Sequence, residues 1–407
     1  MISLEEARAH VLERIAPLEP RLTPVAHAAG LVLAEAVTAP GDVPPFANTA
    51  MDGYAVQAAD TQGASPEGPV HLPVVGEVAA GHPADRSLEA RQAMRIFTGA
   101  PMPDGADAVV MVERTERLDG GAAVAIHAAV SPGLHVRPAG DDLRAGDAVF
   151  GTGELITPGH VGVLAGIGAV EVLAHPRPRV GVLSTGDELV PPGTPLGPGQ
   201  IHDSNRVALL ALVAEAGAVP VDLGLVVDDE RRIEAAILRG AADCDVVLTS
   251  GGVSMGDIDL VKVVLDRIGD LRWMQIAIRP AKPFAFGAVG ERRTPVLGLP
   301  GNPVSSMVSF ELLARPALRR LAGHADVLRS TVPAVAAETL RRSPDGKVHF
   351  VRVRVERDGD GSLLVRPSGA QGSHHLTAMA RAQGLVVLAD GPGAEAGDTV
   401  PVLLLGP

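Results

Sequence analysis

From residue 179 onward the chain alternates short apolar runs with amphipathic stretches, and this alternation restricts the fold more than any other feature. "RVGVLST" (179–185) reads as a strand and "DSNRVALLALVAEAG" (203–217) as a helix ended by Gly217. "VPVDLGLV" and "DERRIEAAILRGA" repeat the pair, as do "DVVLTS" and "DLVKVVLDRIG". "TPVLGLP" then leads into "NPVSSMVSFELLARPALRRLAG", read as one long helix with Pro303 in its first turn. A missing N–H costs nothing there. Strands that alternate with helices join through right-handed crossovers into a mostly parallel sheet. Such sheets bind ligands at the carboxyl ends of their strands.

The flanking segments read differently. Between 46 and 146, "VHLPVVGEV", "AMRIFTGA", "DAVVMVERTERL" and "AAVAIHAAV" are short strands between turns, predicting a small β-rich domain. Beyond 329, "FVRVRVE" alternates apolar and charged residues with period two, and "GLVVLAD" and "TVPVLLLGP" follow. These predict a C-terminal β-barrel or sandwich. "MISLEEARAHVLERIAPL" reads as an amphipathic helix, with Ser3 and Glu6 as a capping box and Leu4, Ala7, Val11, Ile15 and Leu18 on one face. Acids and an arginine interrupt it, so no signal peptide is expected. No apolar run reaches the roughly 18 residues of a membrane span. A cytoplasmic protein is expected.

Three turns leave strands of the alternating segment: "STGDEL" (184–189), "TSGGVSMGDID" (249–259) and "GLPGNPVSS" (298–306). Each joins glycines, hydroxyls and a helix start, which is what a nest of backbone N–H groups needs to hold an oxyanion. One such turn is ordinarily just a tight turn; three at one sheet edge call for another explanation. No GxxxxGK[ST] or GxGxxG follows a strand, so the common nucleotide sites are not expected. Acids crowd the same edge: Asp187, Glu188, Asp203, Asp228, Asp229, Asp257 and Asp259. A single acid after a strand is ordinarily a helix cap, and Asp203 and Asp228 read that way. Together they are costly unless a cation such as Mg2+ bridges them to a substrate's phosphates.

Composition narrows the partners. A net charge of −13 argues against nucleic acid, whose binding needs a basic surface. The one cysteine, Cys244, rules out a disulfide framework or a cysteine zinc site within one chain and reads as a small buried hydrophobe. The thirteen histidines show no metal spacing, and the His374–His375 doublet reads as a solvated turn. There are three lysines against thirty-two arginines. Where arginine is so strongly preferred, a lysine suggests a compact point charge. Lys282 lies between prolines in "IRPAKPFAFG", whereas Lys262 reads as solvated on a helix face.

Eight motifs, "NTAMDGYA", "FTGAPMPDGADAVV", "RPAGDDLRAGD", "STGDELV", "IHDSN", "SGGVSMGDID", "AKPFAFG" and "GLPGNPVSS", occur in an order that resembles the molybdopterin molybdenumtransferase family, which includes the C-terminal domain of gephyrin. The resemblance covers essentially the whole chain. It implies an α/β multidomain fold: an N-terminal helix (1–26) packing with a mostly parallel βαβ molybdopterin-binding domain (178–328), and a mixed dimerising domain (27–45 plus 147–177). A β-rich domain (46–146) and a C-terminal β-barrel-like domain (329–407) complete it, in an elongated homodimer. It implies insertion of molybdate into adenylylated molybdopterin, with Mg2+-dependent hydrolysis of the adenylate and release of AMP. The thiolates belong to the pterin, so no protein cysteine is required.

The same resemblance implies site residues. Lys282, Ser305, Arg352 and Ser373 would hold molybdate. Asp187, Glu188, Asp228, Asp257 and Asp259 would manage Mg2+ and the phosphates, with Asp187, Glu188, Asp257 and Asp259 as the metal ligands. The turns at Gly251–Gly252 and Gly301–Asn302 would cradle pterin phosphate or adenylate. Ser184, Thr185, Gly186, Asp203, Asn205, Ser250, Ser254, Arg279, Pro283 and Pro303 would line the same site. Asp52, Thr98, Arg137 and Asp142 would come from the β-rich domain, contributed to a partner subunit. Expected partners are the adenylyltransferase that makes the substrate and the apoenzymes that take the product, with no nucleic acid and no membrane. Departures are Asp141 in "GDD", Gln275 where the family often has lysine, and Ala281 where it often has glycine. Two other readings are an adenylyltransferase-like enzyme, which needs only the βαβ domain, and a gephyrin-like scaffold, for which the chain offers no long disordered linker.

Overall fold

In the computed structural model, which describes residues 1–253 and 260–406, the alternating segment forms one six-stranded sheet. Its strands are β1 (Arg179–Thr185), β2 (Val219–Val226), β3 (Val246–Ser250), β4 (Gly269–Gln275), β5 (Pro283–Val289) and β6 (Thr294–Leu299), in the order β2-β1-β3-β6-β5-β4. β2, β1, β3 and β6 run parallel, while β5 and β4 pair antiparallel at one edge. That edge hairpin is not read from the sequence, because its strands are separated by a long proline-containing loop (276–282) rather than by a tight-turn signature.

Period-two burial explains the layers. Val180, Val182, Val246, Leu248, Leu297 and Leu299 pack on one face, and Leu183, Val247 and Val296 on the other. The first face is covered by α1 (Ser204–Glu215) and by the helical run that begins at Pro303. The second is covered by α2 (Glu230–Asp243) and α3 (Leu260–Ile268). Strands buried on both faces must be near-continuous apolar runs, which is why "VVL" and "VGVL" carry so much of the signal. Asp203 caps α1 as expected, its side chain accepting from Arg206 N at 3.1 Å. Asp228 does not cap α2. That helix begins at Glu230, so only Asp229 is in position, and it accepts from Arg232 N at 2.9 Å.

The final helical run is α4 (Pro303–Ser309), a π turn (Phe310–Ala314) and α5 (Arg315–Leu321), rather than one regular helix. Pro316 has no N–H for the carbonyl four residues back, and the helix widens before it. That carbonyl, on Leu312, accepts instead from Arg8 Nε at 2.9 Å. Arg8 belongs to the N-terminal helix (Leu4–Leu12), whose cap Ser3 accepts from Glu6 N at 3.0 Å. Leu4, Ala7 and Val11 bury with Phe310, Leu313 and Ala317.

The C-terminal strands Thr331–Ala336, Val348–Arg357, Leu363–Pro367, Gly384–Leu388 and Thr399–Leu404 close into a five-stranded barrel. Closure comes from Val348–Arg357, which pairs with both Leu363–Pro367 and Gly384–Leu388. Ile278–Arg279, in the β4–β5 loop, pairs in parallel with Val348–His349 and ties sheet to barrel. Sheet, barrel and N-terminal helix form one compact unit (Met1–Glu35, Thr152–Thr157 and Glu171–Pro407). A second unit (Ala36–Gly151 and Pro158–Val170) holds a six-stranded sheet of residues from Gly53–Val56 to Ala123–Ile126. Cys244 is a free, buried thiol. Among the described residues no helix is long and apolar enough to cross a membrane.

Candidate functional site

β1, β3 and β6 end side by side, with Ser184 opposite Ser250 and Ser250 opposite Leu299. Gly251 N donates to Leu299 O at 3.1 Å. Gly251 and Gly252 adopt φ of +94° and +76°. A Cβ on Gly252 would lie 2.2 Å from the Val261 Cβ, and one on Gly301 only 3.7 Å from the Gly251 Cα. Gly252 is thus confined to glycine by its left-handed backbone and by the Val261 side chain, while Gly301 lies in ordinary contact with Gly251. Asn205, in the first turn of α1, locks them together by donating from Nδ2 to Ser250 Oγ (2.9 Å) and Gly301 O (2.7 Å). Ser184, Thr185, Gly186, Asn205, Ser250, Gly251, Gly252, Gly301, Asn302 and Pro303 thus share one sheet edge.

Asp203 stands beneath this edge. It is 1% exposed, and both its oxygens are occupied by Ser184 Oγ (3.1 Å), Arg206 N (3.1 Å) and Arg206 Nε (2.8 Å). Its carboxylate supports the strand end and has no free oxygen for a ligand. Asp187 and Glu188 are exposed, and Asp187 Oδ1 accepts from Asp228 N at 3.0 Å. Ser254, Asp257 and Asp259 lie outside the described residues. Among the described residues no group of three or more His, Cys, Asp or Glu side chains is placed to hold a metal ion.

A second cluster joins the barrel to α4. Arg352 is fully buried (0% exposed), with no carboxylate paired to it among the described residues. Its Nη2 donates to Ala370 O (3.1 Å) and Gly372 O (3.2 Å), while Nε and Nη1 have no partner among the described residues. Burial pushes its guanidinium below the usual arginine range. The Gln371 side chain grips the Arg352 backbone at both N and O (3.0 and 3.1 Å). From Gly372 the chain passes to Ser373, whose carbonyl accepts from Val304 N at 3.1 Å, next to Ser305. Arg352, Ser373 and Ser305 are thereby linked through one loop. Arg352 and Arg279 line a cavity of about 530 Å3 together with Arg341, Arg342, His349 and Gln371. The sequence reading does not find those last four, because they converge from a barrel strand, a short strand with the residue after it, and a loop, with no common spacing. Burial holds His349 below its ordinary pKa despite its contact with Asp345 at 3.1 Å.

Lys282 is exposed on the β4–β5 loop, its carbonyl accepting from Ile276 N at 2.8 Å, and Pro283 opens β5. Ala281 has φ +74° and is 2% exposed, so its methyl group is both strained and packed in the core. The left-handed cost of about 1–2 kcal/mol and the methyl burial of about 0.8 kcal/mol nearly cancel. Ala281→Gly is expected to shift the urea unfolding midpoint by no more than about 1 kcal/mol equivalent, whereas Ala281→Val should lose about 3 kcal/mol or more through strain and overpacking. An Ala281→Val variant as stable as the parent would contradict this geometry. Lys262 is not simply solvated: its ammonium lies 5.6 Å from the Trp273 ring centre. Nor is His375, whose Nδ1 is buried without a partner among the described residues and whose ring lies 4.0 Å from that of His374.

In the second unit, Asp52 Oδ1 accepts from Thr98 N (2.7 Å) and Thr98 Oγ1 (2.8 Å), and these bonds hold its pKa below the ordinary value. Arg137 is exposed on a strand opposite Asn48, four residues before Asp52. Asp142 is exposed, with its N donating to Val43 O at 3.0 Å.

Paired glycine turns at the strand ends of a parallel sheet, next to a barrel that buries an arginine, define a multidomain α/β protein. Three family models match in succession: the MoeA N-terminal region, domains I and II (residues 2–168), a probable molybdopterin-binding domain (181–320), and the MoeA C-terminal region, domain IV (334–405). Molybdopterin molybdenumtransferase 2 of Mycobacterium tuberculosis is 42% identical over 393 residues, covering 95% of each chain. The Haemophilus influenzae molybdopterin molybdenumtransferase is 36% identical over 99% of this chain and 98% of its own. A crystal structure of the molybdopterin biosynthesis MoeA protein from Pyrococcus horikoshii superposes with a TM-score of 0.81 at 32% identity, covering 99% of both chains. The chain belongs to the molybdopterin molybdenumtransferase family, transferases of molybdenum cofactor biosynthesis.

Proposed function

We propose that the chain inserts molybdate into adenylylated molybdopterin, hydrolysing the adenylate and releasing AMP. The observation that carries this reading is Arg352, buried with three N–H groups unpaired among the described residues and linked through Ser373 to Ser305. An uncompensated buried cation is costly, and an oxyanion is the chemical partner that removes the cost. Molybdate fits that description. Lys282 adds a point charge from the β4–β5 loop, and Arg279 extends the cationic wall of the same cavity. The glycine turns at Gly251–Gly252 and Gly301–Asn302 offer backbone N–H groups to the pterin phosphate and adenylate. Asp187 and Glu188, with Asp257 and Asp259, are proposed as ligands of Mg2+. Among the described residues no group of three or more such side chains is placed to hold the ion. A homodimer is part of this reading, with Asp52, Thr98, Arg137 and Asp142 assigned by resemblance to a partner subunit's site.

The test is AMP release from adenylylated molybdopterin in the presence of molybdate and Mg2+. Molybdate-dependent release supports the proposal; bound substrate with no hydrolysis on adding molybdate rejects it. Lys282→Ala should lower kcat/KM for molybdate by about tenfold or more while changing pterin binding little, because a charged hydrogen bond contributes about 1.5–3 kcal/mol. Equal losses in both would remove Lys282 from the molybdate side of the reaction.

A further inference from the structure

Helix α5 carries Arg315 and Arg319 one turn apart, and both line two neighbouring cavities. One, of about 590 Å3, opens toward the barrel; the other, of about 320 Å3, opens toward residues 30–32 and 175–177. Neither cavity shares a residue with the strand-end turns or with the Arg352 cavity. Arg329 beside them is engaged through all three of its nitrogens. It donates to Glu311 Oε2 (2.7 Å), Gly406 O (2.5 Å) and Glu215 Oε1 (3.3 Å). Arg319 donates from Nε and Nη2 to Asp326 O at 3.0 and 2.8 Å. Arg315 differs. Its Nε lies 4.0 Å from Glu311 Oε2, the oxygen Arg329 already holds, and it donates no hydrogen bond among the described residues. Yet its side chain is only 14% exposed. Apart from that distant ion pair, its donors face the cavities without a hydrogen-bond acceptor among the described residues, so they are available to an anion.

The larger cavity also has an apolar wall, formed by Leu328, Val332, Leu363 and Leu405. An inorganic ion would leave that wall wet, whereas the volume falls in the range of organic ligand pockets. The geometry points to a binding site for a small organic anion, with its oxyanion head on Arg315 and Arg319 and its apolar body against Leu328, Val332 and Leu363. Burial, and then the charge of Arg329, weaken the cationic form of both arginines, and a bound anion reverses that. Planar carboxylate and tetrahedral phosphate heads both suit the guanidinium fork.

Calorimetric titration of the full chain, without pterin or molybdate, with phenyl phosphate, benzoate and inorganic phosphate tests this. We expect phenyl phosphate or benzoate to bind one site at least about tenfold tighter than inorganic phosphate, and the better head to be identified by comparing the two. Arg315→Met should weaken that binding by about tenfold or more. Because Arg315 makes no hydrogen bond within the chain, the variant should keep its fold. Leu363→Trp, which fills the apolar wall, should abolish the preference for the aromatic anions and serves as the test should Arg315→Met fail to fold. No aromatic anion binding, or binding insensitive to both substitutions, overturns the assignment. The assay involves no turnover, so that failure would leave the transferase reading untouched.

Discussion

Replacing Arg352 with methionine is expected to lower kcat/KM for molybdate in AMP release by about a hundredfold or more, with the melting temperature moving only a few degrees. The two effects separate because they have different causes. Losing one partner of a buried charge-assisted pair costs about 2–5 kcal/mol, and each 1.4 kcal/mol is about tenfold. That loss is felt only when the anion is present. In the empty protein the substitution removes two hydrogen bonds, to Ala370 O and Gly372 O, but also removes a buried cation whose Nε and Nη1 are unpaired. Those terms oppose one another. Arg352→Lys should fall between, since it keeps the charge but not the planar fork. If the methionine variant uses molybdate as well as the parent does, Arg352 is a structural residue and the site lies elsewhere.

Asp203→Ala should be the most destabilising single change at the strand-end site, at about 3 kcal/mol. It removes the α1 cap, strands the Ser184 hydroxyl and takes one of two carboxylates from Arg206, whose side chain is 11% exposed. Loss of a cap contributes about 1 kcal/mol, and a broken buried ion pair accounts for the rest even though Asp222 still holds Arg206. That loss is read as the fall in the urea unfolding midpoint multiplied by the slope of the transition. Asp203→Asn keeps the cap and should lose about half as much. A loss below about 1 kcal/mol for the alanine variant would mean that the carboxylate does not organise the strand end. The contrast with Arg352 distinguishes a residue that holds the site together from one that faces the ligand.

Much of the α/β unit is legible in the sequence because a strand buried on both faces has to be apolar throughout. "VGVL", "VVL" and "VLGL" can hardly be anything else once helices separate them. Gly251 and Gly252 are legible for a related reason: both take a left-handed backbone, and at Gly252 a side chain would also run into Val261. The β4–β5 hairpin is not legible, because its loop carries Pro280 and Lys282 in place of a two-residue turn and its edge strand β4 is only half buried. The cap of α2 was misplaced by one residue, since adjacent acids at 228 and 229 look alike until the helix start is known.

Local patterning therefore determined the strands, the helices, the glycine turns and the order of the motifs, because each depends on residues close in the chain. What only the tertiary structure decided is illustrated by "FVRVRVE". Its period-two pattern places Arg352 and Arg354 on the same side of one strand, and the sequence cannot tell them apart. In the folded chain Arg354 is exposed, while the 368–373 loop closes over Arg352 and leaves it buried without a counter-ion among the described residues. The difference comes from a loop sixteen to twenty-one residues away in the chain, docked through Gln371 on one side and Val304 on the other. Burial of a charge depends on which distant segments arrive to exclude water, and no pattern within the strand carries that information.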